Sequence, residues 1–133
     1  MAALQLDIVT PDKIVLKTQA DYVEVAGLYG DMGILPGHAD MLAGLKIGPL
    51  YYRINGETKW VFISGGFAQV GSDTVTILAE AAELAQDIDV GRATVAKERA
   101  EKRIAEHDEK TDMARANAAL NRAIMRITIA GKR

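Results

Sequence analysis

The sequence predicts an α+β protein in which an N-terminal β-sandwich of about eight to ten short strands precedes a C-terminal antiparallel two-helix hairpin. All three prolines and ten of the twelve glycines lie in residues 1–86, whereas residues 92–130 contain neither. Glycine and proline interrupt regular helices, so the first part favours short strands with turns and the second part favours helices. We therefore expect two units, residues 1–86 and residues 87–133.

The strand prediction depends on short segments rich in β-branched and aromatic residues, which alternate with polar residues or form brief apolar runs. Asn55-Gly56 is the strongest turn signal, because both residues tolerate the positive φ angles of a tight hairpin. Many short strands with frequent turns are typical of a sandwich or a small barrel. The predicted strands are 4–9, 14–17, 22–26, 41–47, 50–54, 59–63, 67–70 and 74–78.

Two helices follow, with Asp87 or Asp89 as N-cap candidates for the first and Thr111 or Asp112 for the second. Both apolar stripes consist largely of alanine, and each missing methylene forgoes roughly 0.8 kcal/mol of burial free energy. The hairpin is therefore expected to be marginal and switchable by a ligand or partner, with a permanently docked tail as the alternative. The stripes comprise Ala93, Ala96, Ala100 and Ile104, then Met113, Ala116, Leu120, Ala123, Ile124 and Ile127.

The net charge of −2 is unevenly distributed along the chain. Residues 1–86 carry ten acidic against five basic residues, and residues 87–133 carry eight against eleven. The helical part therefore favours an anionic partner, or is simply a solvated pair of charged helices. The basic residues of the helical part have no aromatic residues among them, so no nucleic acid is expected as a partner. With no cysteine and no apolar run of about 20 residues, neither a thiolate metal site nor direct membrane insertion is expected.

No catalytic constellation is recognisable in the sequence. His38 and His107 lie in different halves, and neither has an evident acidic partner or metal-ligand spacing. Ser64 precedes Gly65-Gly66 but lacks the nucleophile-elbow pattern. A small hydrolase using Asp31, His38 and Ser64 is a rival interpretation, but the expectation is that the chain has no active site of its own and binds no metal.

The arginines are regularly spaced within the helical part, which places those of each helix on one face. Two such faces repel each other unless an anion lies between them, and arginine is well suited to forked contacts with phosphate. The alternative is that both faces point into water. The two sets are Arg92, Arg99 and Arg103, then Arg115, Arg122, Arg126 and Arg133.

Residues 27–38 read G-L-Y-G-D-M-G-I-L-P-G-H, and this segment closely resembles the epsilon-subunit family of bacterial F-type ATP synthases. The opening with Val9-Thr10-Pro11 and the segment 63–67 are similar too, and the resemblance covers nearly the whole chain. It implies a non-catalytic, peripheral rotor subunit on the cytoplasmic face of the bacterial inner membrane. The sandwich would bind the gamma subunit and the rotor ring of c subunits, and the mobile hairpin would inhibit ATP hydrolysis.

The segment Ile88-Asp89-Val90-Gly91-Arg92-Ala93 matches the family motif I-D-x-x-R-A. The resemblance implies that no cofactor is required and that ATP is a regulatory ligand. A stand-alone ATP-sensing binding module remains the alternative. The ATP contacts that the resemblance implies are Glu83, Ile88, Asp89, Arg92, Ala93, Arg99, Arg122 and Arg126.

The resemblance further implies two states of the hairpin. In the compact state the hairpin lies on the sandwich, and in the extended state, favoured at low ATP, it reaches the alpha/beta catalytic head. There Arg115, Arg122 and Arg126 would meet acidic residues of the catalytic subunits. A loop with exposed Ile34 and Leu35 is expected at the ring, unless it packs on its own core. The expected ring and gamma contacts are Tyr29, Asp31, His38, Met41 and Leu42.

Overall fold

The computed structural model describes residues 3–132, which form seven strands, a short 3-10 turn and two helices. The 3-10 turn, Ala85–Asp87, connects the last strand to the helices. The strands are β1 Leu4–Val9, β2 Ile14–Ala20, β3 Tyr22–Gly27, β4 Gly30–Ile34, β5 Met41–Ile54, β6 Glu57–Val70 and β7 Thr74–Leu84. The helices are α1 Val90–Glu106 and α2 Met113–Ala130.

The strands form one hydrogen-bonded sheet in the order β2-β1-β7-β6-β5-β3-β4, in which only β1 and β7 are parallel. Gly65 and Gly66 interrupt the middle of β6 with φ angles of 69° and 114°. A Cβ on Gly66 would lie 2.0 Å from the carbonyl oxygen of Leu78. Glycine is therefore required where the long central strands bend, and the bend folds the sheet into a sandwich.

The core of the sandwich follows from alternation along the strands. In β1 every second residue is fully buried, namely Leu4, Leu6 and Ile8, because successive side chains of a strand point to opposite faces. Leu50 and Ile77 from other strands are also fully buried in the same cluster. The core thus lies between the two layers, and it leaves the outer face of β5 and β6 for the helices.

The predicted fold class is confirmed, but the number of strands is seven in the described residues rather than eight to ten. Segments 41–47 and 50–54 are one strand, as are 59–63 and 67–70. Gly48-Pro49 and Gly65-Gly66, at which the predicted strands were divided, lie instead inside these two long strands. The sequence pattern also missed β4, because three glycines within residues 27–33 obscure its alternation.

The two helices form the expected antiparallel hairpin. The carboxylate of Asp89 accepts a hydrogen bond from the backbone N–H of Arg92 at 3.0 Å, and Asp112 does the same for Arg115 at 3.1 Å. These two caps fix where the helices begin. His107 ends α1 in a left-handed conformation with φ 47°, so the chain leaves the helix there and reverses into α2.

The hairpin is docked on the sandwich through α2, which packs on β5, β6 and the 3-10 turn, while α1 packs on α2. A small second core forms this contact, and half-buried Ile47, Trp60, Val90 and Met125 surround it. Because the core is small, the hairpin depends on few large apolar side chains for docking. Its buried members are Phe62, Ala85, Ile88, Ile129 and Ala130.

Candidate functional site

A cavity of about 680 Å³ lies where the end of β7, the start of α1 and the last turns of α2 meet. We call it the motif cavity, because Asp89, Arg92 and Ala93 of the I-D-x-x-R-A segment line it. The N-cap of α1 positions this segment, since the carboxylate of Asp89 is fixed by its bond to the Arg92 backbone. The other lining residues are Glu83, Asp87, Val95, Ala96, Arg99 and Arg126.

Six of the eight ATP contacts that the family resemblance implies line the motif cavity. The remaining two are Ile88 and Arg122. Ile88 is buried in the second core next to the cavity, where it packs with Phe62 and Ile129. Arg122 lines a second cavity farther along the hairpin. The fold therefore gathers residues more than 30 positions apart in sequence.

The motif cavity carries both signs of charge. The Nε of Arg126 donates a hydrogen bond to Oε1 of Glu83 at 2.5 Å, and its guanidinium lies 4.5 Å from the centroid of the Phe62 ring. Within residues 3–132, no carboxylate lies within 4.0 Å of the Arg92 or Arg99 guanidinium. Two cations are thus free to bind an anion, and the carboxylates can accept hydrogen bonds from hydroxyl or amino groups.

The second cavity, which we call the hairpin cavity, has a volume of about 600 Å³ and lies between α1 and α2 near their connecting turn. Arg99 lines both cavities, and Arg115 and Arg122 line only this one. Two of the residues expected to contact the catalytic head thus differ in the docked hairpin. Arg115 is exposed, whereas the side chain of Arg126 is hydrogen-bonded to Glu83.

The segment expected to face the ring is largely exposed at one end of the sandwich. Tyr29, Asp31 and Leu42 are exposed, whereas His38 and Met41 are half-buried. The Nδ1 of His38 lies 2.7 Å from the carbonyl oxygen of Ala39. The exposed apolar and polar side chains of this segment offer a surface suited to a protein contact.

One expectation for this segment was wrong. Ile34 is fully buried in the sandwich core, while Leu35 is exposed. The reason is β4, whose alternation directs Ile34 inward opposite Val23 of β3. The segment is thus partly a strand and only partly a loop.

Two apolar residues that the sequence did not single out lie beside Met41 and Leu42. Phe67 of β6 and Leu78 of β7 face each other across the ladder, and both are exposed. They line an open groove of about 840 Å³ together with Met41 and Leu42. Their positions on the outward face of the strands were recognisable only once β6 was known to continue through Gly65-Gly66.

The triad of the rival hydrolase is not assembled. Ser64 is buried between Ile47 and Ala81 in the sheet, and no hydrogen bond joins it to Asp31 or His38 in the part of the chain that is described. The described residues also contain no group of three or more side chains suited to hold a metal. Neither α1 nor α2 has the length and apolarity that crossing a bilayer requires.

Two family models cover nearly the entire chain. Residues 3–85 match the β-sandwich domain of the ATP synthase delta/epsilon chain, and residues 86–131 match its long α-helix domain. The chain belongs to the ATP synthase delta/epsilon family. The boundary between the two models lies at residue 85–86, where the 3-10 turn begins.

Similar curated proteins are epsilon chains of this family. The ATP synthase epsilon chain of Nitratidesulfovibrio vulgaris is 55% identical over 129 residues, which cover 97% of this chain and 96% of the relative. The ATP synthase epsilon chain of Bacillus velezensis is 46% identical over 131 residues, which cover 98% of this chain and 99% of the relative.

Solved structures show the same fold at low identity. A chain in the cryo-EM structure of the mitochondrial ATP synthase of Euglena gracilis matches with a TM-score of 0.76 and 24% identity, over all of this chain and 83% of the other. A chain of the Tetrahymena thermophila central stalk and c-ring matches with a TM-score of 0.60 and 13% identity, over 96% of each chain.

Proposed function

We propose that this chain is a rotor-stalk subunit of a proton-translocating F-type ATP synthase and lies peripherally on the cytoplasmic face of the bacterial inner membrane. It would couple the alpha/beta catalytic head to the ring of c subunits through the gamma subunit. Full-length relatives that are epsilon chains support this assignment. The solved neighbours of the same fold come from assemblies that include a c-ring.

We further propose that ATP binds in the motif cavity and holds the hairpin in its docked position. The observation that supports this most directly is the convergence of Arg92, Arg99 and Arg126 on one cavity from two helices. Guanidinium groups form short, charge-assisted bonds to phosphate oxygens, and a ligand that contacts both helices stabilises only the conformation in which they are close. ATP thus acts as a regulator and takes part in no reaction on this chain.

Inhibition then follows from release of the hairpin. In the docked state Arg126 is occupied by Glu83 and covered by Phe62, so it is poorly available to an acidic partner. Undocking frees Arg126, and it aligns with Arg115 and Arg122 at spacings of seven and four residues on one face of α2. This face would bind acidic residues of the catalytic subunits at low ATP and block hydrolysis.

The opposite end of the sandwich would hold the chain on the rotor. Tyr29, Asp31, His38, Met41 and Leu42 would contact the ring and gamma, with the exposed groove at Phe67 and Leu78 beside them. The double variant Asp31→Arg and His38→Ala should weaken binding to the ring. Undiminished binding of that variant would place the contact elsewhere.

The assembled complex provides the decisive test of the regulatory role. Deletion of residues 87–133 should raise ATP hydrolysis at low ATP, because the inhibitory face is lost, and should leave the subunit on the rotor. Hydrolysis that is unchanged at low ATP would refute inhibition by the hairpin. Failure of the chain to co-purify with a multi-subunit ATPase would instead favour a stand-alone ATP-sensing module.

Nucleotide binding is tested separately on the isolated chain. ATP titration followed by amide NMR should give saturable shifts in residues 83–126, and Arg92→Ala should abolish them. Lys102→Ala is the control, since Lys102 is exposed on α1 and does not line the motif cavity. An absence of shifts up to millimolar ATP would refute the nucleotide gate without affecting the rotor assignment.

A further inference from the structure

We propose that the hairpin cavity is a second anion site, distinct from the motif cavity, and that it binds inorganic phosphate or diphosphate. Three of its cationic residues, Arg103, Lys110 and Arg115, lie outside the set implied for ATP, so the site goes beyond the function proposed above. Its cationic residues come from α1, the connecting turn and α2, and they are Arg99, Arg103, Lys110, Arg115 and Arg122.

The charge of this cavity is uncompensated. Asp112 is the one carboxylate that lines it, and its Oδ1 already accepts the N-cap hydrogen bond from the backbone of Arg115. Within residues 3–132, none of the five cationic side chains has a carboxylate within 4.0 Å or a hydrogen-bond acceptor. Like charges at this density repel, and Arg99 and Arg103 are one helical turn apart. A bound anion would relieve this repulsion.

The shape of the cavity suits a small anion. Its floor consists of alanines, of which Ala100 and Ala116 are buried and Ala96 and Ala119 are half-buried. Alanine leaves space that a leucine would fill, so the arginine side chains surround an open volume instead of a packed interface. That volume of about 600 Å³ leaves ample room for a phosphate or diphosphate between the arginine side chains.

The chemistry favours phosphate over a carboxylate ligand. Arginine binds phosphate oxygens with two parallel hydrogen bonds, and guanidiniums that converge from two helices can engage several oxygens of one compact group. The start of α2 adds its positive dipole end, because Lys110, Thr111 and Asp112 line the cavity immediately before the helix. An acidic peptide would instead spread along one exposed helix face.

Binding at this site would stabilise the hairpin itself. The anion would bridge α1 and α2 at the end opposite to the sandwich contact, where the connecting turn holds them. A ligand that binds only the closed hairpin lowers the free energy of that state by RT ln(1 + [L]/Kd), which grows with ligand concentration. Phosphate concentration would then shift the equilibrium between the closed and the open hairpin.

The experiment is a titration of the full chain with sodium pyrophosphate, and in a second arm with orthophosphate, followed by amide NMR at constant ionic strength. We expect saturable shifts in residues 96–103 and 110–122. The double variant Arg103→Gln and Arg115→Gln should bind pyrophosphate at least about tenfold more weakly, since two guanidiniums that form charge-assisted bonds to the anion are lost. Both positions are exposed and glutamine is a good helix former, so the helices should persist.

Two controls separate this site from its neighbour and from net charge. Arg92→Gln, in the motif cavity alone, should leave pyrophosphate affinity within about twofold. Lys97→Gln with Lys102→Gln also removes two positive charges, both from α1, at residues that do not line the hairpin cavity. This variant should have little effect.

Three results would overturn the proposal. The first is the absence of saturable shifts with either anion. The second is a set of shifts that is confined to residues 83–93 and 126 and is lost in Arg92→Gln. The third is binding of tetraglutamate without binding of pyrophosphate, which would make the cavity an acidic-peptide surface. Failure of ATP binding in the motif cavity would leave the proposal intact, because Arg103 and Lys110 do not line that cavity.

Discussion

Arg126 and Glu83 join the last turns of α2 to the end of β7 through a hydrogen bond of 2.5 Å between Nε and Oε1. About 30% of each side chain is exposed, so water screens this pair less than it screens a surface pair. Arg126 also lies over the ring of Phe62 in the second core. The pair therefore connects the motif cavity to the apolar contact that docks the hairpin.

Glu83→Gln should loosen the hairpin without unfolding the sandwich. The substitution removes the charged acceptor of Arg126 and should weaken docking by about 1 kcal/mol, which hydrogen exchange of the α2 amides measures. Glu57→Gln is the matched control, because Glu57 pairs with Lys59 at 3.4 Å but its side chain is 72% exposed. Equal changes in the two variants would show that the Arg126 pair has no special role.

The Tyr22 hydroxyl donates a hydrogen bond to Oε1 of Glu24 at 2.8 Å. This bond, with a smaller contribution from burial, raises the pKa of Tyr22 to about 12. The folded state keeps a proton that the unfolded state loses, so the stabilisation is present below pH 10 and is lost as the pH rises through about 12.

Glu24→Gln should therefore lower the pKa of Tyr22 towards 10. Ultraviolet absorbance of tyrosinate measures the titration, and Tyr22→Phe identifies the signal among the four tyrosines. Burial also raises the pKa of Tyr52, and that titration should not change in Glu24→Gln. An unchanged Tyr22 titration would mean that the bond to Glu24 does not cause the shift.

The sequence predicted the fold class and the helix caps because those features depend on local signals. Asp89 and Asp112 cap the helices through residues only three positions away, and Asn55-Gly56 forms its turn with φ angles of 52° and 79°. The merged strands could not be predicted, since a glycine pair gives the same local signal in a turn and in a bend. Only the pairing of Gly66 with Leu45 and Ala79 distinguishes the two.

The candidate site was predicted in part. The family motif brought most residues of the motif cavity together, but composition and spacing alone did not indicate that Glu83 would pair with Arg126. The second core was missed as well, because the predicted stripe of α2 ended at Ile127. Ile129 and Ala130 are buried by contact with Phe62, which is 67 positions earlier in the chain than Ile129. Such tertiary contacts leave no periodic signal.

Trp60 should report the docking of the hairpin. It is the one tryptophan of the chain, and the Nζ of Lys132, two residues beyond α2, lies 4.5 Å from its ring centroid. Lys132→Ala removes a cation–π contact of about 0.5–1 kcal/mol and should shift the emission of Trp60 to longer wavelength as water reaches the indole. Lys102→Ala, on the exposed face of α1, should leave the emission unchanged. Equal spectra for all three proteins would argue against this contact.

Ile129→Ala should undock the hairpin while the sandwich remains folded. Ile129 is 0% exposed in the second core, and truncation of a buried isoleucine costs about 2–5 kcal/mol, which is large for a contact made by so few residues. Hydrogen exchange should accelerate in residues 90–130 and remain slow in β5 to β7. Ile124→Ala is the matched control on the same helix, because Ile124 is 41% exposed and should cost far less. Equal acceleration in the strands would mean that hairpin and sandwich unfold as one unit, and reversible undocking could not then regulate hydrolysis.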